Sequence, residues 1–426
     1  MTRIVIIGGG WAGCAAAITA KKAGGDVTLI EKTDMLLGLG NVGGIMRNNG
    51  RHTAAEESIH LGAGDLFEIC DKVSRHKNIN FPGHKHASLY DVNKIEPLVK
   101  KHLKNLGVNI LTTKRVIDVK KDKNIITQVI LSDKTKIKGD VFIETTGSTG
   151  PMGNCLKYGN GCAMCVLRCP SFGPRVSITE RSGIEDILGQ RGDGSYGAFS
   201  GSCKLNKESM SQELRNRLDK NGVVILSVPK EDINMDKLKL KVCQQYSLKE
   251  FAEKIILLDT GHAKLMSPFY PLDKLRKIDG LENVKFEDPY SGSIGNSVRY
   301  LSTAPRYNNM KVVGIDNLLC GGEKSGFFVG HTEAIVTGSL AGYNSIRLSL
   351  GMPLLELPRN LASGDIIAYA NEEIKNKEGL KKRFTFAGSI YFDRMKEKGL
   401  YLTDTEKIKE KISRLGLLNI YEDKIV

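Results

Sequence analysis

The sequence predicts an α/β protein: a Rossmann-like nucleotide-binding domain, interrupted by an inserted α+β lobe and followed by a short helical C-terminal tail. Three observations carry that expectation. The opening stretch, MTRIVIIGGGWAGCAAAITAKKAGGDVTLIEK, reads as strand, glycine turn, helix and strand. Near the other end, a strand-like run enters Cys320-Gly321-Gly322-Glu323, and a long apolar helix begins near Gly330. Between these two halves lie stretches of a different character, rich in cysteine at 155–169 and in glycine at 189–201.

Each glycine of the first turn has a mechanical reason to be there if the unit binds a dinucleotide. Gly8 permits a sharp exit from the strand Ile4 to Ile7, Gly10 lets the backbone close on a pyrophosphate, and Gly13 lets the helix lie against the strands. The pyrophosphate then sits on the free N–H groups and positive dipole end of the helix that begins near Trp11. Glu31, followed by Lys32, ends the second strand eighteen residues after Gly13. A carboxylate there accepts hydrogen bonds from both ribose hydroxyls of an adenosine and repels a 2′-phosphate, so the site fits FAD or NAD better than NADP.

The loop MLLGLGNVGGIMRNNG comes next, and its glycines, Gly43 among them, allow close backbone approach to a flavin. Residues 53–73 and 92–106 read as helices, the second ending at Gly107 with Lys100, Lys101 and Lys104 in its last turns. Short strands at Val108–Leu111, Val116–Val119, Ile125–Leu131 and Lys134–Lys138 form a β-meander. A buried strand through Val141 to Glu144 then leads to Thr146-Gly147, back at the nucleotide site. Residues 1–150 thus make the first part of a FAD domain of the glutathione-reductase-like kind.

Residues 151–300 form the inserted lobe. Within it, helix-like segments near 209–221 and 247–258 flank a strand-like run at Val223–Val228. The FAD domain resumes over 301–359, with strand-like runs at Val312–Ile315 and Asn317–Leu319. Glu323 is placed to accept ribityl hydroxyls, and the helix N-terminus at Gly330, His331 and Thr332 points at the pyrimidine edge of the flavin, where its dipole stabilises negative charge on the reduced ring. His331 is a candidate catalytic group there, though a plain N-terminal helix residue is an equal reading. The tail, 360–426, reads as two or three amphipathic helices around Ile366, Ile367 and Tyr369, then Ile408, Ile412 and Leu415.

Residues 4–20 carry no charge and follow Arg3, as a signal peptide would, but four glycines break the segment and the strand after it explains it better. No other stretch is long enough to span a bilayer, and a cytoplasmic location without membrane contact is expected. The net charge of +14 is unevenly placed. Between Lys94 and Lys138 twelve Lys or Arg face four acids, a concentration that suits an RNA polyanion or is simply a solvated face.

Four of the nine cysteines, Cys155, Cys162, Cys165 and Cys169, fall within fifteen residues. The run Cys162-x2-Cys165-x3-Cys169-Pro170 matches three ligand positions of a bacterial ferredoxin, with Gly159 replacing the first and Cys155 able to supply the fourth thiolate. Three uses stay open: a [4Fe–4S] cluster passing electrons between the flavin and a protein partner, a Cys162/Cys165 dithiol exchanging with the flavin, and zinc or inert thiols. Arg168 beside the cluster lowers a neighbouring thiol's pKa in the dithiol case as much as in the cluster case.

From Leu281 onward the chain resembles a known family. GLENVKF, then LLCGGEKSGFFVGHTEAIVTGSLAGYNSIRLSLG and LPRNLASGDIIAYA, are similar to the C-terminal half of the GidA/TrmFO group of FAD-dependent RNA-modifying enzymes, and STGPMGN at 148–154 is similar to their ATGPLTS. The resemblance implies a flavoprotein acting on a uridine in RNA, with NAD(P)H or a reduced folate as co-substrate. In TrmFO the flavin relays a methylene from methylenetetrahydrofolate to C5; in GidA it helps build an aminomethyl group. Carried over, Gly8, Gly10, Gly13 and Glu31 bind the adenosine half, while Gly321, Gly322 and Gly330 approach the isoalloxazine and its ribityl arm. Two departures stand out: the family's flavin-side cysteine has no equivalent in GLGNVGG at 38–44, and Glu323 replaces a glutamine. Cys169-Pro170-Ser171 resembles the Tyr-Cys-Pro-Ser of GidA. A flavin and Fe–S or flavin and dithiol oxidoreductase, acting on a small molecule or an electron-transfer protein, is the competing function.

Overall fold

The structure is a computed structural model. It describes residues 1–147, 171–196, 203–239, 241, 243–268, 270–287 and 301–426, and the backbone alone at 198, 199, 298 and 299. In chain order the first half holds β1 (Arg3–Ile7), α1 (Trp11–Lys22), β2 (Asp26–Ile30), α2 (Gly40–Gly43), β3 (Ile45–Met46), α3 (Gly50–His60) and α4 (Asp65–Lys72). It continues with β4 (Ser74–Phe81), β5 (His84–Tyr90), α5 (Ile95–Asn105), β6 (Asn109–Leu111), β7 (Val116–Asp122), β8 (Ile125–Leu131), β9 (Lys136–Lys138) and β10 (Val141–Glu144).

Five strands form a parallel sheet in the order Leu318–Cys320, β10, β1, β2, β6. From Ile4 to Ile7, β1 is apolar because both its faces are covered. Ile4 and Ile6 face α1 and the helix His331–Ser349, whereas Val5 and Ile7 face the meander, packing with Val116, Ile126, Val129 and Leu131. The meander is β7-β8-β9, antiparallel throughout. Val108–Leu111, expected in it, joins the parallel sheet instead: α5 carries the chain back over the sheet, so β6 pairs in parallel beside β2. Val312–Ile315 is not a strand either, since Val312 turns back to bond its N–H to the Leu318 carbonyl.

A four-stranded antiparallel sheet occupies the inserted region, in the order Cys203–Leu205, Ala263–Leu265, Lys254–Asp259, Val223–Ser227. The helix expected near 247–258 shrinks to Glu250–Glu253, and the apolar run that follows is a strand. The reason is two-sided burial. Ile255 and Leu257 enter a core with Leu214 and Leu218 of the helix Gln212–Asn221, while Ile256 and Leu258 enter another with Phe81, Ala87 and Leu89 of the β4–β5 hairpin. That hairpin has no sequence signal, because β4 is mostly polar and its pairing is interrupted by register shifts.

The tail forms the helices Ala362–Glu373, Ser389–Glu397 and Thr405–Arg414. They pack on the body, and Ile366, Ile367, Ile408 and Ile412 enter the main core. The Glu57 carboxylate of α3 accepts the Ala362 and Ser363 N–H groups, each at 2.8 Å, and so caps a helix distant in sequence. Among the described residues no helix is long and apolar enough to cross a membrane.

Candidate functional site

The glycine turn has the geometry that a bound dinucleotide needs. Gly8 has φ +104°, and a Cβ there would lie 2.4 Å from the Thr145 carbonyl oxygen; a Cβ on Gly13 would lie 1.9 Å from the Gly8 carbonyl oxygen. Gly10 differs: a Cβ there would meet nothing within 4 Å, so the space above it is open. Gly10 is also the N-cap of α1 and brings no side-chain cap, leaving the first N–H groups for an anion. The indole Nε1 of Trp11 is buried beneath the loop, where a Cβ on Gly40 would lie 2.5 Å from it. These features fit the pyrophosphate of FAD.

The Glu31 carboxylate is 8 % exposed and already oriented. Its Oε2 accepts the Gly9 N–H at 2.7 Å, and its Oε1 accepts the Thr33 N–H at 2.9 Å and the Thr33 hydroxyl at 3.0 Å. A carboxylate has about four acceptor sites, so these three bonds leave capacity for one ribose hydroxyl.

The flavin end is built where two helices meet. α1 lies against His331–Ser349 through small residues: Cβ atoms on Gly338 and Gly342 would fall 2.2 Å from the Ala12 and Ala16 carbonyl oxygens. That close crossing sets the two helix N-termini side by side, and the Trp11 and His331 rings are 5.6 Å apart. The loop 36–43 lies across both, with the Leu37 N–H on the Gly9 carbonyl at 2.7 Å and the Tyr90 hydroxyl on the Gly40 carbonyl at 2.6 Å. Gly43 abuts the imidazole, where a Cβ would lie 1.8 Å from His331 Nε2, and Tyr90 Oη is 3.4 Å from the same nitrogen. The first turn of the helix is anchored by a buried ion pair. Arg51 Nε bonds Glu333 Oε1 and Oε2 at 3.1 and 3.2 Å, and the Thr385 hydroxyl and Phe386 N–H also donate to Glu333.

The other expected residues are placed as follows. Gly321 and Gly322 follow the last strand; Gly322 has φ +70° and donates its N–H to Thr337 Oγ1 at 2.8 Å, while Glu323 beside them is partly exposed. Gly330 admits no side chain, because a Cβ would sit 2.1 Å from Arg51 Nη2. Thr332 is fully buried and faces the Met46 sulfur, packing the helix rather than opening onto the site. Lys32 donates to the Gly173 carbonyl at 2.7 Å, and Gly147, with φ +77°, lies against Arg175. Cys155, Cys162, Cys165 and Cys169 lie outside the described residues. Among those described, no group of three His, Cys, Asp or Glu is arranged to hold a metal.

Sequence reasoning missed Arg51 and Glu333, which are 282 positions apart and share no motif. It also missed a buried cluster beside Gly147. There Lys324 pairs with Asp186, its amine 3.7 Å from Glu144, and Glu144 accepts the Ile178 and Thr179 N–H groups at 2.8 Å. Only Trp11, inside the glycine motif, carried a readable signal.

A nucleotide turn with its acid in place, a second helix N-terminus brought to the first and a parallel sheet beneath them define a FAD-binding oxidoreductase of Rossmann-like fold. The model of one family, Glucose inhibited division protein A, matches residues 3–267 and 264–353, and the chain belongs to that family. Among solved structures, two crystal forms of Aquifex aeolicus GidA share the fold. Form II gives a TM-score of 0.65 at 16% identity over 97% of this chain and 76% of that one; form I gives 0.64 at 14% over 97% and 78%. No curated protein sequence matches the chain.

Proposed function

We propose that this FAD-dependent oxidoreductase of GidA type works in the cytoplasm on a uridine in RNA, with NAD(P)H or a reduced folate as co-substrate. Membership of the GidA family across 3–353 is the observation that carries the reading. The exposed Lys120, Lys121, Lys123, Lys134, Lys136 and Lys138 of the meander support it, because clustered cations gain free energy by releasing counterions from a phosphate backbone. When bound, the flavin supplies hydride or one-carbon transfer chemistry. The chain's own contribution is to hold the flavin between two helix N-termini, exclude water with Trp11 and Tyr90, and place His331 Nε2 where it can hold or move a proton.

The test is binding of unmodified transfer RNA by the FAD-loaded protein across a salt series, paired with mass spectrometry of uridines in RNA from cells with and without the gene. Charge reversal of Lys120, Lys123 and Lys136 is expected to weaken binding and to lower the salt slope by about one per lost phosphate contact. Salt-independent binding together with unchanged uridines would overturn the proposal. A second reading, electron transfer through an Fe–S cluster or dithiol, draws on the four closely spaced cysteines. About four irons per chain after anaerobic purification, with no RNA retained, would favour it.

A further inference from the structure

The inserted antiparallel sheet turns two amines toward the loop that carries Gly43. Lys204 and Lys264 are cross-strand partners and therefore share a face of the sheet. Lys204 Nζ donates to the Asn41 carbonyl at 3.1 Å and Lys264 Nζ to the Val42 carbonyl at 2.7 Å, so two amines grip neighbouring peptide oxygens. Lys241 adds a third: its amine donates to the Met266 carbonyl at 3.0 Å and lies 5.8 and 5.7 Å from the ring centroids of Tyr246 and Phe251. Lys241 and Lys264 are 4 % and 6 % exposed. Cys243 is partly buried on this side, whereas Cys203 is buried in the core on the other face of the sheet.

Lys241 and Lys264 meet carbonyl oxygens, rings and thiols, and among the described residues neither pairs with a carboxylate. The residues outside that description include one acidic residue, Asp288, and two basic ones, Lys157 and Arg168. Burial alone disfavours a lone ammonium, and neighbouring like charges add to the penalty. Burial, then the charges of Lys204 and Lys241, push Lys264 down to about 7; burial pushes Lys241 down to about 8. A chain that needed only caps for two loop carbonyls could have used neutral donors. Two buried amines that meet no carboxylate among the described residues make sense when an anion arrives to offset their charge.

We propose that Lys204, Lys241 and Lys264 form a binding site for the anionic group of a small substrate, a carboxylate or a phosphate, beside the flavin-side loop. The assignment rests on the loop and Gly43 serving the flavin, and is independent of the RNA reading. The anion seats on the amines, beside the loop carbonyls of Asn41 and Val42. Because Lys264 faces Lys204, Lys241 and Cys243, with Cys203 on the far face of the sheet, binding draws protons onto the amines. Proton uptake therefore separates a true anion site from neutral structural donors.

The experiment is calorimetric titration of the full FAD-loaded chain at pH 8 and fixed ionic strength, with inorganic phosphate and, separately, with succinate, in two buffers of different ionisation enthalpy. The expected result is saturable one-site binding of at least one anion with uptake of protons, weakened about tenfold or more in Lys264→Met and Lys241→Met and kept within about threefold in Lys264→Arg. Preference for phosphate assigns a nucleotide-like substrate; preference for succinate assigns an organic acid. No saturable binding of either, methionine variants that bind as the parent does, or binding without proton uptake each overturns the proposal. Should the methionine variants fail to fold, proton uptake by the parent protein and binding by Lys264→Arg decide. Because no RNA is present, failure here leaves the proposed RNA function standing, and the reverse also holds.

Discussion

Replacing Glu333 by alanine tests whether the helix N-terminus at the flavin is held by its buried ion pair. Glu333 and Arg51 side chains are 0 % and 3 % exposed. The substitution removes the two Arg51 Nε contacts at 3.1 and 3.2 Å, the Thr385 hydroxyl bond at 2.7 Å and the Phe386 N–H bond at 2.8 Å. Arg51 keeps the Val329 carbonyl at 2.8 Å and Asn48 Oδ1 at 3.2 Å, so it stays in place as a charge without its counter-ion. Breaking a buried pair from one side costs about 3–5 kcal/mol, and the orphaned Phe386 N–H sets the figure toward the upper end. Urea unfolding of the FAD-loaded protein, followed by circular dichroism and flavin fluorescence, measures the loss. Flavin release is expected at lower urea than loss of helical signal, because the loosened turn belongs to the flavin site. The double variant Arg51→Met/Glu333→Leu is expected to recover about half or more of the loss, since removing both charges leaves no buried ion. An alanine variant that loses less than about 1 kcal/mol, or a double variant that costs the sum of two single changes, refutes the reasoning.

Two further outcomes follow from the same geometry. Gly10→Ala is expected to fold within about 1 kcal/mol of the parent, because its Cβ enters open space, yet to lose FAD affinity by about tenfold or more. Gly13→Ala collides with the Gly8 carbonyl and is expected to lose about 3 kcal/mol or more; flavin titration and thermal melts of both separate the two effects. His84, whose Nδ1 accepts from Asn48 Nδ2 at 3.0 Å and whose Nε2 donates to the Gln245 carbonyl at 2.9 Å, is pushed by burial down to about 3. The unfolded chain takes up this proton near pH 6.5 and the folded one does not. Stability from His84 is therefore complete above pH 6.5 and falls as pH drops toward 3. Between pH 6 and 4 the His84→Gln variant is expected to show a shallower dependence of unfolding free energy on pH, by about one proton; an unchanged slope counts against it.

The nucleotide half was legible because its signal is local. Gly8, Gly10 and Gly13 are spaced by the demands of one turn, and Glu31 by the length of one helix and one strand, so a short stretch of chain contains the whole constraint. The tail helices were legible for the same reason, from the 3.6-residue spacing of their apolar positions. The run Ile255–Leu258 misled because four consecutive apolar residues fit a buried strand as well as a buried helix; only the presence of a core on each side decides.

By itself, then, the sequence determined the strand–turn–helix unit, its acid, the second helix at Gly330 and the family resemblance, all of them set by short-range spacing. The tertiary structure alone decided what crosses long distances. It laid Gly338 on Ala12 and so brought Trp11 to His331; it seated Arg51 on Glu333; it turned Lys204 and Lys264 toward Asn41 and Val42. Such contacts depend on which faces of separate elements are buried together, and no periodicity within one segment encodes its partner in another.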